Sequence, residues 1–142
     1  MNHDIWLTVI ILLIAFPLLW CGILFSMSRV GPWQTLASQF PFVPADDHEW
    51  YWINHLGCRA GYYGNCLYAL VTPDHITLKA ILPFRPFHPP ITIPRSAIRD
   101  VVVYTNGWWT PSVSFEAAGQ RLTLSSTLAK ASLWRTEPPS PS

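Results

Sequence analysis

Hydrophobic positions along this chain fall into three successive patterns, and each predicts a different element. From Ile5 to about Met27 the sequence is almost continuously apolar and carries no charge. A bilayer core of about 30 Å takes roughly 20 helical residues, so this run predicts a transmembrane helix with a kink at Pro17. Trp33, Leu36, Ala37 and Phe40 then recur at 3-4 spacing between Pro32 and Pro41, which predicts one short amphipathic helix. From Trp50 the pattern changes to alternation. Ile76, Leu78, Ala80 and Leu82 alternate with Thr77, Lys79 and Ile81, Val113 and Phe115 with Ser112, Ser114 and Glu116, and Leu122 and Leu124 with Arg121, Thr123 and Ser125. Each strand is therefore predicted to have one buried face and one wet face.

Seven strands are predicted, at about 50–59, 65–72, 75–82, 91–94, 98–105, 112–117 and 121–126. The turns between them are read at Gly61 to Gly64, Pro73-Asp74-His75, Asn106-Gly107 and Ala118-Gly119-Gln120, where tight or positive-φ geometry is accessible. Ser126 to Arg135 is helical by propensity, opened by a capping hydroxyl at Ser126 or Thr127. The organisation that follows is an anchor over 1–28, a juxtamembrane helix and linker over 29–49, a mainly β domain over 50–135 and a disordered tail over 136–142.

Met1-Asn2-His3-Asp4 holds no Lys or Arg, and Leu24 to Arg29 lacks an Ala-x-Ala pattern, so an uncleaved anchor is expected rather than a signal peptide. Arg29, with no basic residue before Ile5, favours an outside N-terminus and a cytoplasmic domain. The three cysteines, Cys21, Cys58 and Cys66, form no disulfide framework; Cys58 and Cys66 flank the predicted Gly61–Gly64 turn, and register decides whether they meet. With a formal net charge of +1 and basic residues scattered singly, the chain lacks the footprint of a nucleic-acid binder. Its oddities are eight tryptophans and fourteen prolines, which supply core or interfacial anchors and break the chain into short strands and corners.

Two segments are candidate interaction sites. Pro83 to Pro90 carries Phe84, Phe87 and His88, followed by Pro89 and Pro90, on a stretch that cannot make regular ladder bonds. It reads either as a rigid crossover with its phenylalanines on the core, or as an aromatic and proline edge that docks a protein or the membrane. Trp108-Trp109, at the Asn106-Gly107 turn, either dips into the membrane interface or folds back over the barrel mouth. Trp33 and Phe40 are read as interfacial anchors at headgroup level, with packing against the chain's own domain as the equal alternative. Tyr62 and Tyr63 read as an aromatic turn or as packing on neighbouring strands.

No catalytic constellation is visible. The histidines at 3, 48, 55, 75 and 88 show no metal-ligand spacing, and Asp46-Asp47-His48-Glu49 reads as a solvated linker rather than a cation site. Ser112 and Ser114 lack a nucleophile elbow, Cys66 has no basic neighbour in sequence, and no nucleotide loop or cofactor motif occurs.

At Tyr63-Gly64-Asn65-Cys66-Leu67, Phe84-Arg85-Pro86-Phe87-His88-Pro89-Pro90 and Ile93-Pro94-Arg95-Ser96-Ala97-Ile98 the chain resembles small bacterial single-pass membrane proteins with a pleckstrin-homology-like domain. The resemblance spans nearly the whole chain. It implies a seven-stranded PH-like open barrel of two nearly orthogonal sheets, plugged by a C-terminal helix, in a bacterial inner membrane. It implies no activity. Two positions depart from the pattern: Arg95 stands where tryptophan is usual, and the Asp74-His75 turn lacks a glycine. Arg59 alone on the first hairpin makes specific phosphoinositide binding unexpected.

The function expected from these residues is a membrane-anchored, non-catalytic binding or scaffolding module for an unidentified protein partner. The alternative is an accessory subunit of a membrane complex held through its helix, with Ala15, Cys21 and Gly22 as small contact residues. An enzyme with a long-range site comes third.

Overall fold

In the computed structural model, which describes residues 3–44, 49–104 and 111–126, the apolar run forms one helix, α1 (His3–Val30). Among the described residues it is the helix long and apolar enough to cross a membrane. It continues through Pro17 and ends two residues past the boundary read from sequence. Its hydroxyls bond back onto the helix: Thr8 Oγ1 donates to the Asp4 carbonyl at 2.7 Å and Ser26 Oγ to that of Gly22 at 2.9 Å.

Every residue of α1 up to Leu19 is exposed, whereas a stripe at Trp20, Cys21, Leu24, Met27 and Ser28 turns inward, with Leu24 and Ser28 fully buried. That spacing of three and four is the periodicity of one helix face against a core. At Gly31 the chain bends into α2 (Trp33–Gln39), and the bend requires the glycine. A Cβ there would lie 2.8 Å from the Met27 carbonyl oxygen and 2.9 Å from the Tyr63 hydroxyl.

The seven strands are β1 (Tyr51–Cys58), β2 (Gly61–Val71), β3 (His75–Ala80), β4 (Ile91–Pro94), β5 (Arg99–Tyr104), β6 (Ser112–Ala117) and β7 (Gln120–Ser125). They form one antiparallel sheet in the order β4-β3-β2-β1-β7-β6-β5, curled into a half-barrel. A single continuous sheet thus stands where two orthogonal sheets are expected. Its core joins inward residues of all the strands to α2, among them Trp33, Leu36, Ile53, Leu78, Ile93, Phe115 and Leu124.

The first hairpin corrects the sequence reading. Cys58 pairs with Gly61, so the chain turns at Arg59-Ala60 and the Gly61–Gly64 segment is strand, not turn. Gly61, at φ 144, takes the conformation that a side chain resists. Cys58 and Cys66 consequently lie at different levels of the ladder, and both thiols are free. Two bulges shape the curl, each beside a residue in the left-handed region: Asn65 (φ 50) on β2 and Asp100 (φ 50) on β5. Asn and Asp are the non-glycine residues that accept this conformation most readily. The β6–β7 turn uses Ala118 and Gly119, both at positive φ, as the sequence indicated.

The Asp74-His75 turn manages without glycine because Thr72 closes it. Its amide donates to the His75 carbonyl at 2.9 Å, and its hydroxyl accepts from the His75 amide at 3.1 Å. The C-terminal helix predicted over Ser126 to Arg135 lies, beyond Ser126, outside the described residues, as do the Asp46–His48 stretch and Trp108-Trp109. Ser126, read as a helix cap, donates its hydroxyl to the Trp52 carbonyl at 2.7 Å.

Candidate functional site

The proline-rich corner is where the helices meet the sheet. Ile81 leads into a short 3-10 turn over Leu82–Phe84, and the chain then folds back through Arg85 to Pro90 before entering β4. Proline cannot extend a ladder, so the segment closes on itself: the Phe84 amide donates to the Ile81 carbonyl and the His88 amide to that of Arg85, both at 2.9 Å. Phe87 is held at φ 63, a left-handed conformation that a bulky side chain adopts only where its surroundings enforce it.

Those surroundings are α1 and α2. Trp20 donates its indole N–H to the Pro83 carbonyl at 2.8 Å and meets the Phe84 ring edge-on at 5.2 Å. Phe25 meets Phe87 edge-on, also at 5.2 Å, and the Arg29 guanidinium lies 5.2 Å from the Phe25 centroid. From α2, Trp33 donates to the Pro89 carbonyl at 2.9 Å and Gln34 to that of Phe87 at 3.4 Å. The corner therefore docks this chain's own helices, while Leu82, Pro83 and Phe87 stay exposed.

Trp33 corrects the headgroup reading: its indole is fully buried in the domain core, and Phe40 packs against the same core. The short helix folds onto its own sheet because Trp33 closes an aromatic cluster there. Trp33 and His88 stand 5.3 Å apart, Tyr63 and His88 5.5 Å, and Trp33 and Tyr63 5.5 Å. His88 is buried, with Nδ1 3.0 Å from the Pro86 carbonyl and Nε2 unbonded among the described residues. Burial lowers its pKa below the usual histidine value, offset in part by the carbonyls of Pro86 and Phe84. Burial likewise pushes the Tyr63 phenol up to about 12 and the Cys66 thiol up to about 11, so neither supplies an anion near neutral pH. Tyr62 points outward and stacks on His55 at 4.8 Å.

The structure thus brings together Phe84, Phe87, His88 and Pro89 from the sequence candidates, with Trp33 beside them. Sequence reasoning missed Trp20 and Tyr63 as their partners. The stripe Trp20, Leu24, Met27 to Gly31 was the available signal, hidden inside a run apolar on every face. Among the described residues no group of three or more His, Cys, Asp and Glu side chains is placed to hold a metal ion.

The sheet's two edges differ. β4 is covered by the chain entering from α2: Pro41 bridges to Ile91, the Thr92 amide donates to the Phe40 carbonyl at 3.3 Å, and the Val43 amide donates to Thr92 Oγ1 at 3.0 Å. β5 pairs with β6 alone among the described residues and presents Val102 and Tyr104 outward. On the outer face of β1 to β3, Trp50, Trp52 and Tyr68 form an exposed aromatic row. Trp52 meets Tyr68 edge-on at 5.1 Å, and the Lys79 ammonium sits 5.4 Å from the Trp50 centroid. Beside this row a cavity of about 390 Å³ is lined by Trp50, Tyr68, Lys79, Leu82 and Arg85. A second, of about 270 Å³, lies between the end of α1 and the first hairpin.

No family model, no curated protein and no solved structure matches this chain.

Proposed function

We propose that this chain is a single-pass membrane protein whose PH-like β domain is a non-catalytic binding module, held on the cytoplasmic side of a bacterial inner membrane. The observation that carries the reading is the asymmetry of the sheet edges. β4 is covered by residues 40–43, whereas β5, with Val102 and Tyr104 facing outward, has unpaired backbone groups among the described residues. A strand edge of this kind accepts an extended peptide through main-chain hydrogen bonds and selects it through alternate side chains. The strand order and the length and apolarity of α1 support the PH-like and membrane parts of the reading.

The test is photo-crosslinking in native membranes from probes at Val102 and Tyr104, followed by mass spectrometry. A single protein adduct lost on Val103→Pro, a change that leaves the anchor untouched, supports the module. Adducts absent at both positions overturn it.

One observation favours a second reading, an accessory subunit held through its helix. Gly22 faces open space, with nothing within 4 Å of a Cβ built there, which leaves room for close approach of another helix. The discriminating exchange replaces residues 3–19 with an unrelated apolar helix and retains Trp20 to Val30, because that stretch packs on the domain. A module keeps its partner through this exchange, and a subunit loses its complex.

A further inference from the structure

The part of α1 that is exposed throughout is too short to span a bilayer. Ile5 to Leu19, at about 1.5 Å per residue, extends about 22 Å, against about 30 Å of hydrocarbon. The remaining 8 Å or so, about five residues at that rise, takes the crossing to about Leu24. Trp20 and Leu24 are the residues that pack on the β domain, and Trp20 is hydrogen-bonded to Pro83. If α1 spans the membrane, as the proposed function holds, the Leu82–Phe87 corner is drawn to the bilayer boundary with it.

The surface next to that corner has the composition of a membrane interface. Leu82 is 73% exposed, Trp50 and Tyr68 line the same cleft, and Trp52 stands outward against Tyr68; Trp and Tyr are the residue types that favour the headgroup zone. Between Asp74 and Asp100 the chain carries Lys79, Arg85, Arg95 and Arg99 and no acid. Two of these cations, Lys79 and Arg85, line the 390 Å³ cleft with Trp50, Tyr68 and Leu82, and no carboxylate pairs with either among the described residues. A cleft that joins Lys79 and Arg85 to aromatic walls and an apolar lip at the bilayer surface matches an anionic headgroup on a lipid tail.

We infer that this cleft holds the phosphodiester headgroup of an anionic phospholipid from the same bilayer, with Lys79 and Arg85 on the phosphate and Leu82 among the upper acyl carbons. The site lies on the strands next to β4, away from the Arg59-Ala60 hairpin, and it requires a lipid already in the membrane rather than a soluble inositol phosphate.

The test uses the full chain reconstituted into phosphatidylcholine vesicles with and without phosphatidylglycerol. The photo-crosslinking residue p-benzoylphenylalanine is placed at Leu82 or, as a span control, at Leu12, and adducts are identified by mass. The expected result is lipid adducts from both positions, with phosphatidylglycerol over-represented at Leu82 relative to its share of the vesicle. Lys79→Gln with Arg85→Gln should lower that preference by on the order of tenfold, while the charge-preserving pair Lys79→Arg with Arg85→Lys retains it. Circular dichroism of each variant separates lost binding from lost fold, and the charge-preserving pair keeps the test decisive if the neutral pair unfolds.

Lipid adducts at Leu12 with none at Leu82, or adducts at Leu82 that simply follow vesicle composition, overturn the site and leave the membrane reading standing. No lipid adduct at Leu12 overturns the membrane reading itself. Loss of the preference on adding inorganic phosphate identifies a soluble anion as the occupant, and a protein adduct from Leu82 in native membranes identifies a protein. Either result overturns the lipid assignment.

Discussion

α1 is one continuous helix with two different surroundings, and its halves show how separate the demands on a single element can be. Ile5 to Leu19 is exposed all round and apolar but for Thr8, so composition and length suffice to describe it. Trp20 to Val30 is fitted to a particular surface: Leu24 and Ser28 face the domain, Trp20 reaches the Pro83 carbonyl, and Gly31 follows within contact of Tyr63. Side chains of the outer half can be exchanged for others of similar hydropathy. Those of the inner half are specified one by one, because close-packed contacts depend on shape. A helix joined to its domain in this way is a rigid mount rather than a tether.

Substitutions near the inner half should therefore affect the domain strongly and those in the outer half weakly, as read by thermal unfolding of the full chain in detergent. The largest effect is expected from Trp33→Ala, which empties the centre of the Trp33–Tyr63–His88 cluster and leaves the Pro89 carbonyl without its donor. A loss of about 3–5 kcal/mol follows, seen as a lower unfolding midpoint and a collapsed near-UV dichroism. Gly31→Ala comes next, at about 1–3 kcal/mol, because its Cβ meets a backbone oxygen at 2.8 Å that has little room to retreat. Equal stability of Gly31→Ala and the parent would mean that α1 is not seated on the sheet.

Trp20→Phe keeps a ring against Phe84 but removes the N–H donated to Pro83, for a loss of about 1 kcal/mol. His88 adds a pH dependence. Its folded pKa lies below its unfolded value, so the unfolded chain binds the proton first on acidification. The contribution of neutral His88 is complete above the unfolded value of 6.5 and declines as pH falls from there toward the lower folded pKa. His88→Gln should flatten that acid-side slope, and a slope unchanged by the substitution would assign it to other groups. The smallest effect belongs to the outer half: Leu12→Ala should move the domain's midpoint by no more than about 0.5 kcal/mol. A larger shift would mean that the outer half also packs on protein.

The strands were nearly all legible from alternation, and the observed bounds of β3 to β7 fall within about two residues of the predicted ones. The first hairpin was not. Gly61 and Gly64 invited a glycine turn, yet the chain turns two residues earlier at Arg59-Ala60. Pairing Leu56 with Tyr63 buries both, and that packing gain outweighs the local preference of glycine for turns. The corner was legible as a place that needed explaining, since prolines deny it a ladder, but its contacts with Trp20, Phe25 and Trp33 connect residues more than 50 positions apart in the chain. The 3-4 spacing puts Trp33 on the short helix but does not specify its burial, because indole suits a headgroup zone and a protein core equally.

By itself, the sequence determined which segments exist: an apolar helix of spanning length, a short helix between prolines, and a series of alternating strands. These follow from local periodicity and from the backbone limits of proline and glycine, which act within a few residues. Tertiary structure alone decided the register of β1 on β2, the closing of the β4 edge by residues 40–43, the burial of Trp33 and His88, and the division of α1 into a free half and a fitted half. Each of these depends on which distant surface a residue meets, and that is set when the chain closes its one small core.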